Sequence, residues 1–304
     1  MRRLVHISDI HMPHMPNLYP YQLLNKRITG YLFWKKRRQF VHQKNALETV
    51  TEHMLAQKPD HILCSGDLTN FASKAEINWA KTWLSEIESH ANISLVPGNH
   101  DAYVPGALNR VLEQWNPWIK GQSEQDDFPF VHEISLPNTP EKGIAVFCLS
   151  SAIATRPFNA QGKIGAAQLE RLAALFKRYS KENWFQLVML HHPPLAGLTK
   201  KHRILRDEIQ MTEALQELAP HLVVYGHNHR HQCTHLTSQS HSIPVIGVRS
   251  ASCAPQSQDP EAGGYNIYEV DFADEQWKLT CEFMGFTDQK EIISPITENL
   301  VHYY

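Results

Sequence analysis

The chain alternates short apolar runs with longer stretches in which apolar residues recur every three or four positions. Apolar runs over 4–7, 61–64, 93–96, 144–149, 185–190 and 221–225 predict strands. Between the first three, 45–57 carries Leu47, Val50, Met54 and Leu55 on one helical face and is stopped by Pro59. The stretch 73–88 does the same with Ala75, Ile77, Trp79, Ala80, Trp83, Leu84 and Ile87. A third clear helix is expected over 166–179, with Leu169, Leu172, Ala173, Leu175 and Phe176 on its inner side. A further helix is expected within 206–218, and helix or loop over 105–120 around Trp115 and Trp118. The remaining strands are expected at 130–136, 243–248, 265–272 and 277–283. Apolar strands alternating with helices predict parallel pairing, with the helices on the sheet faces. No Pro/Gly-rich or charged linker interrupts the pattern, so one domain is expected over 1–304.

The residues that follow the strands change the picture. They read Ser8-Asp9-Ile10-His11, Ser65-Gly66-Asp67-Leu68-Thr69-Asn70, Pro97-Gly98-Asn99-His100-Asp101, His191-His192-Pro193-Pro194 and Gly226-His227-Asn228-His229. Asp9 and His11, two apart, project from one side of an extended segment and can face one ion. Gly98 lets the chain turn sharply through angles other residues avoid. Each motif alone reads as a polar turn after a strand. Five at strand ends form a constellation, because the carboxyl edge of such a sheet is where ligands bind. Carboxylate, imidazole and amide together suit Mn²⁺, Fe²⁺ or Zn²⁺ better than Ca²⁺.

Composition adds less. The net charge of −2 gives no global sign of nucleic-acid binding, and 19 histidines favour metal or proton-transfer chemistry. Five cysteines form no CxxC pair, and Cys64 and Cys148 fall inside apolar runs. A reduced, cytoplasmic compartment is the simpler expectation. The first residues hold no signal-peptide core, and no apolar run approaches the roughly 18 residues of a membrane span.

One segment stands apart. Residues 12–47 hold Lys26, Arg27, Lys35, Lys36, Arg37, Arg38 and Lys44 and no Asp or Glu. Leu24, Ile28, Tyr31 and Leu32 recur at helical spacing, and Leu32-Phe33-Trp34 runs into the basic block. Such an insertion can pack its apolar face on the core and leave a solvated basic rim. It can equally lie on an anionic membrane, peripheral to the inner face, or grip an acidic, partly apolar ligand. One short block is not the groove that nucleic acid requires.

On these five motifs the chain, from about Leu4 to Ser252, resembles the calcineurin-like metallophosphoesterases. The resemblance implies a four-layer α/β/β/α sandwich of two mixed sheets flanked by helices. It also implies two divalent ions, one on Asp9, His11 and His229 and the other on Asn99, His191 and His227, with Asp67 shared. The implied reaction is phosphoester hydrolysis by a hydroxide bridging the ions. His100 would act as general acid or transition-state stabiliser with Asp101 orienting its ring, the alternative being a supporting role behind the ligands. Asn70 would face substrate and His192 would stand behind the ligands, with His14 and Arg249 as further candidate contacts. The Gly-Asn-His-Asp form is similar to phosphodiesterases of cyclic nucleotides and glycerophosphodiesters. The insertion is similar instead to pyrophosphohydrolases of UDP-diacylglucosamine, although His100 stands where many of those carry Arg. A scaffold of the same fold with a lapsed metal site would have lost ligands, and all seven are present.

Overall fold

The apolar runs become strands, and the amphipathic runs helices, within about three residues of the expected limits. A computed structural model of the chain describes residues 1–13, 18–255, 261–287 and 293–304. In chain order the elements begin with β1 (Arg2–Ile7), α1 (Arg27–Phe33), α2 (Gln39–Val41), α3 (Lys44–Ala56), β2 (His61–Cys64), α4 (Lys74–Glu88) and β3 (Asn92–Leu95). There follow α5 (Ala107–Gln114), α6 (Asn116–Ile119), β4 (Phe130–Ser135), β5 (Gly143–Cys148), α7 (Ala166–Lys181), β6 (Phe185–Met189), α8 (Glu208–Leu218) and β7 (Leu222–Tyr225). The chain ends with β8 (Gln232–Thr237), β9 (Ser242–Gly247), β10 (Gly264–Ala273), β11 (Gln276–Phe286), β12 (Ile293–Pro295) and β13 (Leu300–Tyr303). Of these, β8, β12 and β13 were not foreseen.

The strands form two mixed sheets. One runs β12-β11-β10-β1-β2-β3, with β13 also on β11, and the other runs β4-β5-β6-β7-β9-β8. Pairing is parallel within β1-β2-β3 and β5-β6-β7-β9, as strand–helix alternation requires. The chain then returns to lay β10 antiparallel on the free edge of β1.

Period-2 alternation sets the layers. Ile144, Val146 and Cys148 of β5, with Leu187, Met189, Leu222 and Val224, join a core that also takes β1, β2, β3, α3 and α4. Ala145, Phe147, Val188 and Val223 face the other way, onto Leu172 and Phe176 of α7 and Met211 and Leu215 of α8. Strands buried on both faces are why these runs read as continuously apolar. The four-layer sandwich is the expected one. The start of α4 is fixed by a capping box, Ser73 with Glu76, and the buried Glu76 carboxylate also accepts from the Asn70 and Phe71 N–H groups. That brace ties the loop after β2 to the helix behind it.

The insertion does not pack as its pattern suggests. Leu24, Ile28 and Leu32 are 83%, 49% and 60% exposed. The inward side of α1 is instead Arg27 and Gly30, with Trp34 just beyond its end against Phe71, Tyr103 and Val104. Arg27 donates to the carbonyls of Phe71 and Ala72 at 2.9 and 2.8 Å. A Cβ on Gly30 would stand 2.4 Å from the Tyr103 hydroxyl, so only glycine permits this approach. Among the described residues no helix is long and apolar enough to cross a membrane.

Candidate metal centre

The carboxyl ends of β1, β2 and β3 in one sheet, and of β6 and β7 in the other, meet at one place. There the backbone leaves strand geometry. Asp9, His11, Asp67, His227 and His229 all have positive φ, between 42° and 68°. The expected strand-like projection of Asp9 and His11 is therefore corrected: two left-handed residues curl the chain so that both side chains aim inward. Gly66 is likewise left-handed at φ 97°. Gly98 is not, and its glycine answers a need for space, since a Cβ there would stand 2.1 Å from Asp67 Oδ1.

Two clusters of ligand atoms result. In the first, His229 Nε2 is 3.2 Å and His11 Nε2 3.6 Å from Asp9 Oδ1, and the two nitrogens are 3.1 Å apart. In the second, His191 Nε2 is 3.3 Å from Asp67 Oδ2, 3.3 Å from Asn99 Oδ1 and 3.2 Å from His227 Nδ1. Asp67 Oδ2 also lies 3.9 Å from His11 Nε2, between the clusters. An ion held at about 2.1 Å puts its ligand atoms roughly 3.0–3.5 Å apart, which is the spacing seen.

The hydrogen bonds behind the rings agree. His11 Nδ1–H donates to the Thr69 carbonyl at 3.2 Å and His191 Nδ1–H to that of Ser65 at 2.7 Å. Each leaves Nε2 as a lone pair aimed at its cluster. Among the described residues, the buried Asp9 Oδ1 has no hydrogen-bond partner. A buried, unpartnered carboxylate oxygen beside imidazole lone pairs fits a divalent cation. Burial works against charge on Asp67, yet the imidazoles of His191 and His100 hold its carboxyl well below the usual range.

The residues around the clusters sort differently from expectation. His100 Nδ1–H donates to the Asn70 carbonyl at 2.7 Å, and its ring stacks on Tyr103 at 5.3 Å. Asp101 does not orient that ring. Its carboxylate accepts from the N–H groups of Asp67, Thr69 and Gly98 and from the Thr69 hydroxyl, lacing the loops after β2 and β3 together. Burial and the charge of Asp67 raise Asp101 to about 7, against those donors. Asn70 is fully buried and does not face a substrate; its amide donates to the Met12 carbonyl. His192 stands behind His227 at 4.4 Å, tied to Ser151 and the Ala160 carbonyl. Arg249 is engaged away from the clusters, ion-paired with Glu261 at 3.2 Å. His14 lies outside the described residues.

Three neighbours of the clusters were not anticipated. His42, buried with Nδ1 on the Ser252 hydroxyl at 2.8 Å, has a ring nitrogen within 4.8 Å of those of His11 and His229. Arg38 reaches the His100 ring, its Nη2 2.9 Å from Nε2. Arg203 donates to the backbone carbonyl and Nε2 of His227. The four-residue spacing of Arg38 and His42 was a legible signal that both face one way. Arg38 and Arg203 line an open cleft of about 680 Å³, as does Phe33.

The family model described as calcineurin-like phosphoesterase matches residues 2–231. A protein of Synechococcus described as a probable cyclic nucleotide phosphodiesterase is 31% identical over 180 residues, 57% of this chain. The match spans 59% of that relative's length. A dimetal phosphatase from Danio rerio superposes with a TM-score of 0.61 at 12% identity, covering 99% of this chain and 98% of its own. A purple acid phosphatase from yellow lupin, Lupinus luteus, gives 0.53 at 11% identity, covering 99% of this chain and 53% of its own. A 5'-nucleotidase precursor from Thermus thermophilus gives 0.52 at 12% identity, covering 90% and 52%. At such identities these structures speak to the fold.

Proposed function

The chain belongs to the calcineurin-like phosphoesterase family, and we propose that it is a two-metal phosphoric ester hydrolase acting on phosphodiesters. The observation that carries this is the pair of ligand clusters flanking Asp67. Asp9, His11 and His229 would hold one ion, Asn99, His191 and His227 the other, and Asp67 both. Mn²⁺, Fe²⁺ and Zn²⁺ suit this donor set. When bound, such ions supply charge neutralisation of the phosphoryl group and a lowered pKa for the attacking water.

The chain's own residues do the rest. Asp101 keeps the loops bearing Asp67 and Asn99 in register. His100, fixed through Nδ1–H on Asn70, offers Nε2 to the cleft; once that nitrogen takes the ring's second proton from solvent, it would pass it to a leaving oxygen. A phosphodiester preference rests on the Gly-Asn-His-Asp sequence and on likeness to the Synechococcus protein. Metal analysis with turnover of bis(p-nitrophenyl) phosphate, 3',5'-cyclic AMP and glycerophosphodiesters tests the reading. Neither bound metal nor turnover after Mn²⁺ addition would refute it.

A second reading has its own observation. Tyr19, Tyr21, Leu24, Ile28, Leu32, Phe33 and Phe40 are all large, apolar or aromatic and exposed, and exposed Lys35, Lys36 and Arg37 lie among them. That face suits an anionic lipid surface and, through Phe33 at the cleft, a nucleotide-linked lipid as pyrophosphate substrate. Flotation with anionic liposomes tests it. Binding should fall when Lys35, Lys36 and Arg37 become Glu, and binding that persists excludes the electrostatic account.

A further inference from the structure

Four successive basic residues, Lys35 to Arg38, end the aromatic run of the insertion, and the structure divides them. A π-helical turn over Trp34–Arg38 leaves Lys35, Lys36 and Arg37 exposed and turns Arg38 inward. Arg38 lines the same cleft as Asp67, Asn99, His100, His227 and His229. The element that carries it is anchored, because Arg27 is fixed on two carbonyls and Lys26 Nζ donates to the Thr155 hydroxyl at 2.8 Å. The guanidinium is held in place before any ligand arrives.

Its partners are few for a side chain with five N–H donors. Among the described residues, both of its hydrogen-bond contacts are to the His100 ring, Nη1 to Nδ1 at 3.3 Å and Nη2 to Nε2 at 2.9 Å. Because Nδ1 already carries the proton given to the Asn70 carbonyl, only Nε2 can accept, and one hydrogen bond to a neutral ring remains. The carboxylates whose charge Arg38 feels are Asp67 and Asp9, both in the ligand clusters. Once these hold cations, little negative charge is left for the guanidinium. The cleft reinforces the imbalance: Arg37, Arg38, Lys200, Arg203 and Arg230 line it against one carboxylate, Asp67.

We propose that Arg38 is a phosphate-binding residue of this cleft, delivered by the insertion, and that it takes a phosphoryl oxygen of the substrate. The proposal rests on the phosphoesterase reading above. A guanidinium fork matches a tetrahedral oxyanion in shape as well as charge. A phosphoryl oxygen is a better acceptor than a neutral imidazole, so Arg38 moves from His100 Nε2 to the substrate and frees that nitrogen to take up a proton from solvent. The basic insertion is then part of the catalytic site as well as a surface feature.

The test is the binding of inorganic phosphate to the Mn²⁺-loaded full chain by calorimetry, with metal content measured beside it. Arg38→Gln should weaken phosphate about 10- to 100-fold at unchanged metal content, and Arg38→Lys should recover part of the loss. The same Arg38→Gln loss should persist in a His100→Asn background. Were it to vanish there, Arg38 would act only by positioning His100, and the proposal would fail. Wild-type phosphate affinity in Arg38→Gln would also overturn it, as would loss of metal in both Arg38 variants. A wild-type chain that bound neither metal nor phosphate would instead overturn the phosphoesterase reading.

Discussion

Five of the seven ligand candidates occupy left-handed backbone, and none of the five is glycine. Such residues cost on the order of 1–3 kcal/mol each and persist where the surroundings over-determine them. Here the surroundings are hydrogen bonds such as Asp9 N–H to the Gly66 carbonyl at 2.9 Å, His11 N–H to that of Asp67 at 3.0 Å and His227 N–H to Asp9 Oδ2 at 2.9 Å. Removing the carboxylate proposed to be shared and removing the proposed proton donor should look different. Asp67→Ala should abolish binding of both ions, whereas His100→Ala should keep the metals and lose about 10²-fold or more in turnover. Metal loss in His100→Ala would show that this ring holds an ion. The ligand candidates were legible because each follows an apolar, strand-forming run within a few positions. The roles of Asp101 and Asn70 were not, since they depend on which backbone groups of other loops come within 3 Å. Arg38 stands in a run of four like charges, where the phase of one helical turn separates three exposed side chains from one half-buried one.

At the scale of elements, the insertion is where pattern and structure part. Its apolar positions at helical spacing left open a face packed on the core or one turned to a membrane or ligand; that face is exposed, and the packed one is built on glycine. The reason is physical: the surface it lies on is occupied by Tyr103, and a helix comes close to a large ring only where it has no side chain of its own. Tyr103 in turn stacks on His100 and lies 4.5 Å beneath the Lys26 ammonium. Gly30→Ala should therefore push α1 outward or press Tyr103 onto His100. We expect a stability loss of about 1–3 kcal/mol and weakened phosphate binding at unchanged metal content, measured by urea unfolding and calorimetry. Unaltered phosphate binding would show that α1 and the catalytic loops move independently.

Across the molecule, neutral histidines are buried in the sheets as well as at the site. Burial lowers both His6 and His61 to about 3. The unfolded chain takes up a proton near pH 6.5 that the folded one refuses, so stability is complete above pH 6.5 and declines as pH falls toward 3. The slope is about 1.4 kcal/mol per pH unit for each group. A His61→Gln variant should lose about that much less per unit than the wild type between pH 6 and 4.5, and equal slopes would exclude the effect. The two-sheet order has a further consequence, in time. Arg2 pairs with Val270 and His6 with Asn266, so β1 exists long before its antiparallel neighbour. Throughout synthesis of the second sheet it can present an open, apolar edge to other nascent chains. A chain ended at residue 255 would keep that edge and should be recovered as aggregate; a soluble product with a cooperative melt would show that the first sheet guards itself. The hazard lies in the interval before β10 arrives, and it is set by the order in which the strands are made.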